Sequence, residues 1–141
     1  MTINEIEDQI IEEFSVFDEW LDKYEYLIEL GNNLDIIDEN KKTPDNIIQG
    51  CQSRVWLDAS LSENKTMIFK ADSDAIITKG IIALLIRVFN NQTPDEILKS
   101  DLYFIDAIGL SANLSPTRAN GLSAMIKQIK YYALAFSKLN S

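Results

Sequence analysis

The chain has 141 residues, 46% hydrophobic and 25% charged, and a formal net charge of −9. That is enough for one soluble globular domain with its own core, expected to span residues 1–141. Histidine is absent and cysteine occurs once, which excludes a Ser-His or Cys-His dyad, His-ligated zinc or haem, an internal disulfide and a cysteine-ligated iron–sulfur cluster.

The charge is uneven. Residues 1–39 carry a net −12 and residues 40–141 a net +3. An acidic surface is a poor match for nucleic acid, whose binding depends on neutralising phosphates. It suits solubility, or electrostatic steering toward a basic protein partner. The start, "MTINEIEDQIIEEF", lacks the apolar run of a secretory signal and is too acidic for a transit peptide. The longest apolar run, Ile81 to Ile86, is too short to span a bilayer. No membrane association and a cytoplasmic location are expected.

In chain order, Thr2 and Glu5 have the spacing of a capping box, and the first helix is expected from Ile3 to about Glu13. A second, from about Asp18 to Leu30, aligns Leu21, Tyr24, Leu27 and Ile28, with Gly31 ending it as a C′ residue. Residues 32–45 are polar and irregular. The period then changes to two, and a β-hairpin is expected over about 53–72, turning at Ser62–Lys65. Its expected register pairs Leu61 with Met67, Ala59 with Phe69 and Leu57 with Ala71, leaving Asp58 opposite Lys70. Ser73 or Asp74 is expected to cap a largely apolar helix through Phe89. Thr43-Pro44, Thr93-Pro94 and Ser115-Pro116 each place a hydroxyl before a proline, as at a helix start. The last helix, from Pro116 to about Lys138, is expected to bury Leu122, Met125, Ile126, Ile129, Ala133 and Phe136. The fold class is α+β: a small antiparallel sheet with helices packed on one face.

The acidic pairs, such as Glu12-Glu13, read as a solvated face, and there is no glycine-rich phosphate loop or metal-ligand cluster. One strong nucleophile remains. Cys51, in "NIIQGCQSRVW", follows a glycine and lies between Gln49 and Gln52. The residue types leave two readings open: a reactive thiol on a loop, with Arg54 the nearest cation in sequence, or a small buried hydrophobe.

The segment "GCQSRVW" and the hairpin behind it resemble the active-site region of the SufE family, sulfur acceptors that work with cysteine desulfurases. Three further segments agree in order and spacing: "YEYLIELG" at 24–31, "DSDAIITKGIIALLI" at 72–86 and "LSPTRANGL" at 114–122. Together they cover about residues 10 to 135. Asp35 departs from the pattern, because many members have proline there.

The resemblance implies the fold shared with scaffold-type iron–sulfur assembly proteins. It also implies a sulfurtransferase-type function without a cofactor of its own: Cys51 takes sulfur from the persulfide of a pyridoxal-phosphate desulfurase, stimulates that enzyme, and delivers the sulfur to an iron–sulfur scaffold. The alternative is a non-catalytic adaptor that activates a desulfurase allosterically. A carrier needs one nucleophile and no resolving thiol, and this chain has one cysteine. Gly50 then gives the loop its bend. Gln49, Gln52 and Ser53 either donate hydrogen bonds to a persulfide anion or cap the strand. Arg118, at a helix start where the dipole disfavours a cation, is an anion contact near Cys51, a docking residue or one half of a surface ion pair. Asp74 is an N-cap or a partner contact, and Trp56 packs beneath the loop.

Overall fold

The structure, a computed structural model, describes residues 1–139. Local chemistry fixes the helix starts. Helix α1, Ile3–Ser15, begins at a complete capping box: Thr2 Oγ1 accepts from the Glu5 N–H at 3.1 Å, and Glu5 Oε1 accepts from the Thr2 N–H at 2.9 Å. Ile3, Ile6, Ile10 and Phe14 form its buried stripe. Helix α2, Trp20–Asn32, follows. Strands β1, Val55–Leu61, and β2, Met67–Ser73, make a two-stranded antiparallel sheet in the expected register, Asp58 opposite Lys70 included. Helix α3, Ile76–Phe89, is buried on most sides and packs on the sheet. Short helices α4, Pro94–Lys99, and α5, Phe104–Ala107, lead to α6, Pro116–Leu139.

A two-stranded ribbon alone is marginal in water. Here Val55 and Leu57 of β1, with Met67, Phe69 and Ala71 of β2, are almost wholly buried on the helix side. Both outer edges also receive contacts. Along β2, the Met67 N–H donates to Gln92 O at 2.8 Å, the Phe69 N–H to Asn90 Oδ1 at 2.7 Å, and Ala71 O accepts from the Ile37 N–H at 3.2 Å. Along β1, the Ile48 N–H donates to Val55 O at 2.8 Å, and Ile47 bridges to Trp56. These contacts cover the edge of β2 and the start of β1, where the strands would otherwise present unpaired backbone.

Two contacts lock the helices. Arg87 of α3 grips Glu13 of α1 through both carboxylate oxygens, at 2.8 and 2.5 Å, and the Tyr26 hydroxyl donates to the same carboxylate. The Arg87 hydrogen bonds hold the Glu13 carboxyl below its ordinary value despite partial burial. Where α2 crosses α3, Gly80 lies against Leu27: a Cβ on Gly80 would sit 2.3 Å from Leu27 O.

Several expectations are corrected. Gly31 does not end α2; it is a buried residue inside the helix, where a Cβ would come within 2.9 Å of the Gly80 nitrogen. Leu21 is 75% exposed, because α2 turns Leu27 inward instead. Neither Ser73 nor Asp74 is the N-cap of α3. That residue is Ala75, without a side-chain cap, because Asp74 is engaged elsewhere. The Thr43 hydroxyl caps nothing, and only a 3₁₀ turn, Pro44–Asn46, follows it. Asp58 faces Lys70 in the register, yet its ion pair is with Lys41 at 3.2 Å. Ile126 and Phe136 on α6 are only partly buried.

Candidate functional site

Residues 49–54 form the tip of a hairpin-like excursion between the Ile48–Val55 hydrogen bond and the polypeptide that leads into it. Gly50 makes the reversal, with a φ of 95° that L side chains rarely adopt. A Cβ there would also sit 3.2 Å from the Ala124 Cβ of α6. Cys51 follows at the tip, half-buried, and its thiol donates to Gly121 O on α6 at 3.6 Å. The Cys51 loop thus rests on the second turn of a helix 70 residues further along the chain.

The other end of the loop is clamped to the β2–α3 junction. Asp74 Oδ1 accepts from the Arg54 N–H at 3.0 Å, the Asp74 N–H donates to Arg54 O at 3.2 Å, and the Ser73 hydroxyl donates to the same carbonyl at 2.9 Å. Nearby, Asp72 joins three elements: Lys42 from the preceding loop at 2.7 Å, its own strand, and Lys79 of α3 at 3.3 Å. Burial opposes the charge of Asp72, but the hydrogen bonds from Lys42, the Ser73 N–H and Lys79 outweigh it and hold the carboxyl below its ordinary value. Lys42 also lies over the Trp56 ring, 5.3 Å from its centre, so Trp56 supports the loop's base.

Cys51 opens onto a cleft of about 410 Å³. The loop contributes Gln52 and Ser53, α3 contributes Thr78 and Ile81, and the start of α6 contributes Ser115, Thr117, Arg118, Gly121 and Met125. The helix start is set locally, since the Ser115 hydroxyl accepts from the Arg118 N–H at 3.3 Å. Of the residues singled out in the sequence, Cys51, Gln52, Ser53 and Arg118 therefore meet at one place. Gln49 does not: it is exposed and outside the cleft lining. Asp74 is exposed and acts on the loop through Arg54. Thr78 was not anticipated, because a threonine inside a helix carries no local signal of a cleft.

Burial pushes the Cys51 thiol above its ordinary value of 9.0, so at rest it is a neutral, weakly nucleophilic group. Arg54 does not counter this. Alkylation of native Cys51 by iodoacetamide is accordingly expected to rise about tenfold per pH unit through neutral pH, following the thiolate fraction, and to show no plateau below about pH 8.5. A plateau near pH 7, read from the rate of mass gain, would contradict this environment.

The profile of SufE, described as an Fe-S metabolism associated domain, matches residues 8–133. The chain belongs to the SufE family. It is 43% identical over 127 residues to an uncharacterised SufE-like protein of Rhizobium etli, covering 87% of this chain and 86% of that one. A SufE-like protein of Rhizobium meliloti is 42% identical over 127 residues, covering 87% and 91%. The solution structure of a hypothetical protein from Thermus thermophilus shares the fold, with a TM-score of 0.77 at 19% identity over 96% of this chain and 97% of the other. SufE membership associates the protein with Fe-S metabolism, and Cys51 is the one thiol it brings to such a role. Among the described residues no group of side chains is arranged to hold a metal ion, and no helix is long and apolar enough to cross a membrane.

Proposed function

We propose that this SufE-family protein is a cytoplasmic sulfur acceptor and carrier for a cysteine desulfurase. The Cys51 thiolate attacks the outer sulfur of the desulfurase's persulfide. A new S–S bond forms at Cys51, the bond to the desulfurase cysteine breaks, and that cysteine leaves as a thiolate. The pyridoxal phosphate that generates the persulfide belongs to the partner, and the acquired sulfur passes on to an iron–sulfur scaffold protein.

The observation that carries this reading is the placement of Cys51: a lone thiol at the tip of a clamped loop, opening onto a polar cleft. A buried structural cysteine has no need of such a loop. The thiol's neutral resting state fits a carrier that is activated on docking, because its partner supplies an already activated sulfur. In this reading Gln52 and Ser53, which line the cleft with Cys51, donate to the persulfide anion, and Arg118 lies against it. Exposed Asp74 and Arg118 flank the loop and form the proposed docking edge.

Cys51→Ser tests the assignment in a desulfurase assay with cysteine as substrate. A carrier loses all stimulation of turnover on this substitution. Retention of most of the stimulation would instead identify an allosteric adaptor.

A further inference from the structure

The cleft beside Cys51 is far larger than one sulfur atom needs, and its volume of about 410 Å³ lies within the range of small-ligand sites. Its ten lining residues include no carboxylate, although the chain carries 22 acids. Its cation, Arg118, pairs with no carboxylate among the described residues. Thr78 lines the cleft at only 8% exposure and adds a hydroxyl to its wall. The first turn of the 24-residue helix α6 ends at the same place and adds the positive end of its dipole. Ile81 and Met125 add apolar surface to the lining. A cation, a hydroxyl and a helix start in one cleft lining suit a carboxylate, and Cys51 in the same lining suits a sulfur atom.

We infer that this cleft binds a small thiol bearing a carboxylate, and that the bound thiol takes sulfur from the Cys51 persulfide. The inference rests on the carrier function proposed above. The thiolate of the small molecule attacks the outer sulfur of Cys51–S–SH. A new S–S bond forms, the bond to Cys51 Sγ breaks, and its electron pair leaves with Cys51 as a thiolate. The proton stays on the transferred sulfur, and no oxidant or reductant is consumed. Arg118 anchors the carboxylate, so that the small thiol is held within reach of the sulfur.

For the test, Cys51 is persulfidated chemically with inorganic polysulfide, so the outcome does not depend on a desulfurase. Loss of one sulfur atom is then followed by intact mass after adding glutathione or the uncharged 2-mercaptoethanol. Glutathione is expected to discharge the protein saturably and about tenfold faster at equal thiolate concentration, the effect of one hydrogen bond to a charged group. Arg118→Ala should erase that preference, and Arg118→Lys should keep part of it. In a second measurement, S-methylglutathione, which has no thiol, should slow iodoacetamide alkylation of Cys51 in the wild type but not in Arg118→Ala. Equal, unsaturable discharge by both thiols, or absence of protection, would overturn the inference; protection without preferential discharge would overturn the transfer step. Loading by a desulfurase combined with negative thiol tests would remove only this inference. Positive thiol tests with no loading by a desulfurase would remove only the desulfurase partnership.

Discussion

Gly80→Ala is expected to lower stability by about 3 kcal/mol, the upper part of the range for forcing an extra group into a packed core. The cause is backbone, not side chain. A Cβ on Gly80 would sit 2.3 Å from Leu27 O and 2.8 Å from its carbonyl carbon, and neither atom can rotate away. Helix α2 must then separate from α3, and the separation is transmitted to the Glu13–Arg87 grip and to the end of α3 that lines the cleft. Urea unfolding measures the change directly, and a fall in Tm of about 10 °C should accompany it. Unchanged stability would mean that the two helices do not cross this closely.

Asp74→Ala is expected to raise the reactivity of Cys51 while leaving the core intact. The substitution removes the carboxylate that accepts from the Arg54 N–H, but keeps the backbone bond from the Asp74 N–H to Arg54 O. Losing one exposed hydrogen bond of about 1 kcal/mol makes loop opening roughly fivefold easier. Alkylation at neutral pH should accelerate by the same factor if the open loop is the reactive form. Asp74→Asn, which retains an acceptor, should restore most of the protection. Equal rates in all three proteins would show that the Arg54 clamp does not control access to the thiol.

Features that depend on nearby residues were legible in the sequence. The capping box at Thr2, the helix start at Thr93-Pro94 and the hairpin register follow from groups close together in the chain, so the pattern states them directly. Gly31 was misread because a glycine after an amphipathic run looks the same whether it ends a helix or admits a neighbouring one, and only the position of Gly80 distinguishes the two. Asp74 was misread as a cap for a similar reason. An acid before an apolar helix suggests capping, but its partner is the Arg54 backbone, 20 residues earlier. Cys51 was legible as the lone nucleophile, whereas the cleft it faces was not, because α3 and α6 reach it from distant parts of the chain.

The central claim is that Cys51 receives sulfur, and intact mass spectrometry tests it most directly. The protein is mixed with a cysteine desulfurase, pyridoxal phosphate and cysteine in the absence of reductant. A gain of one sulfur atom, released by dithiothreitol and absent in Cys51→Ser, is the predicted result. Unchanged mass while desulfurase turnover still rises would contradict the account and leave Cys51 a packing residue.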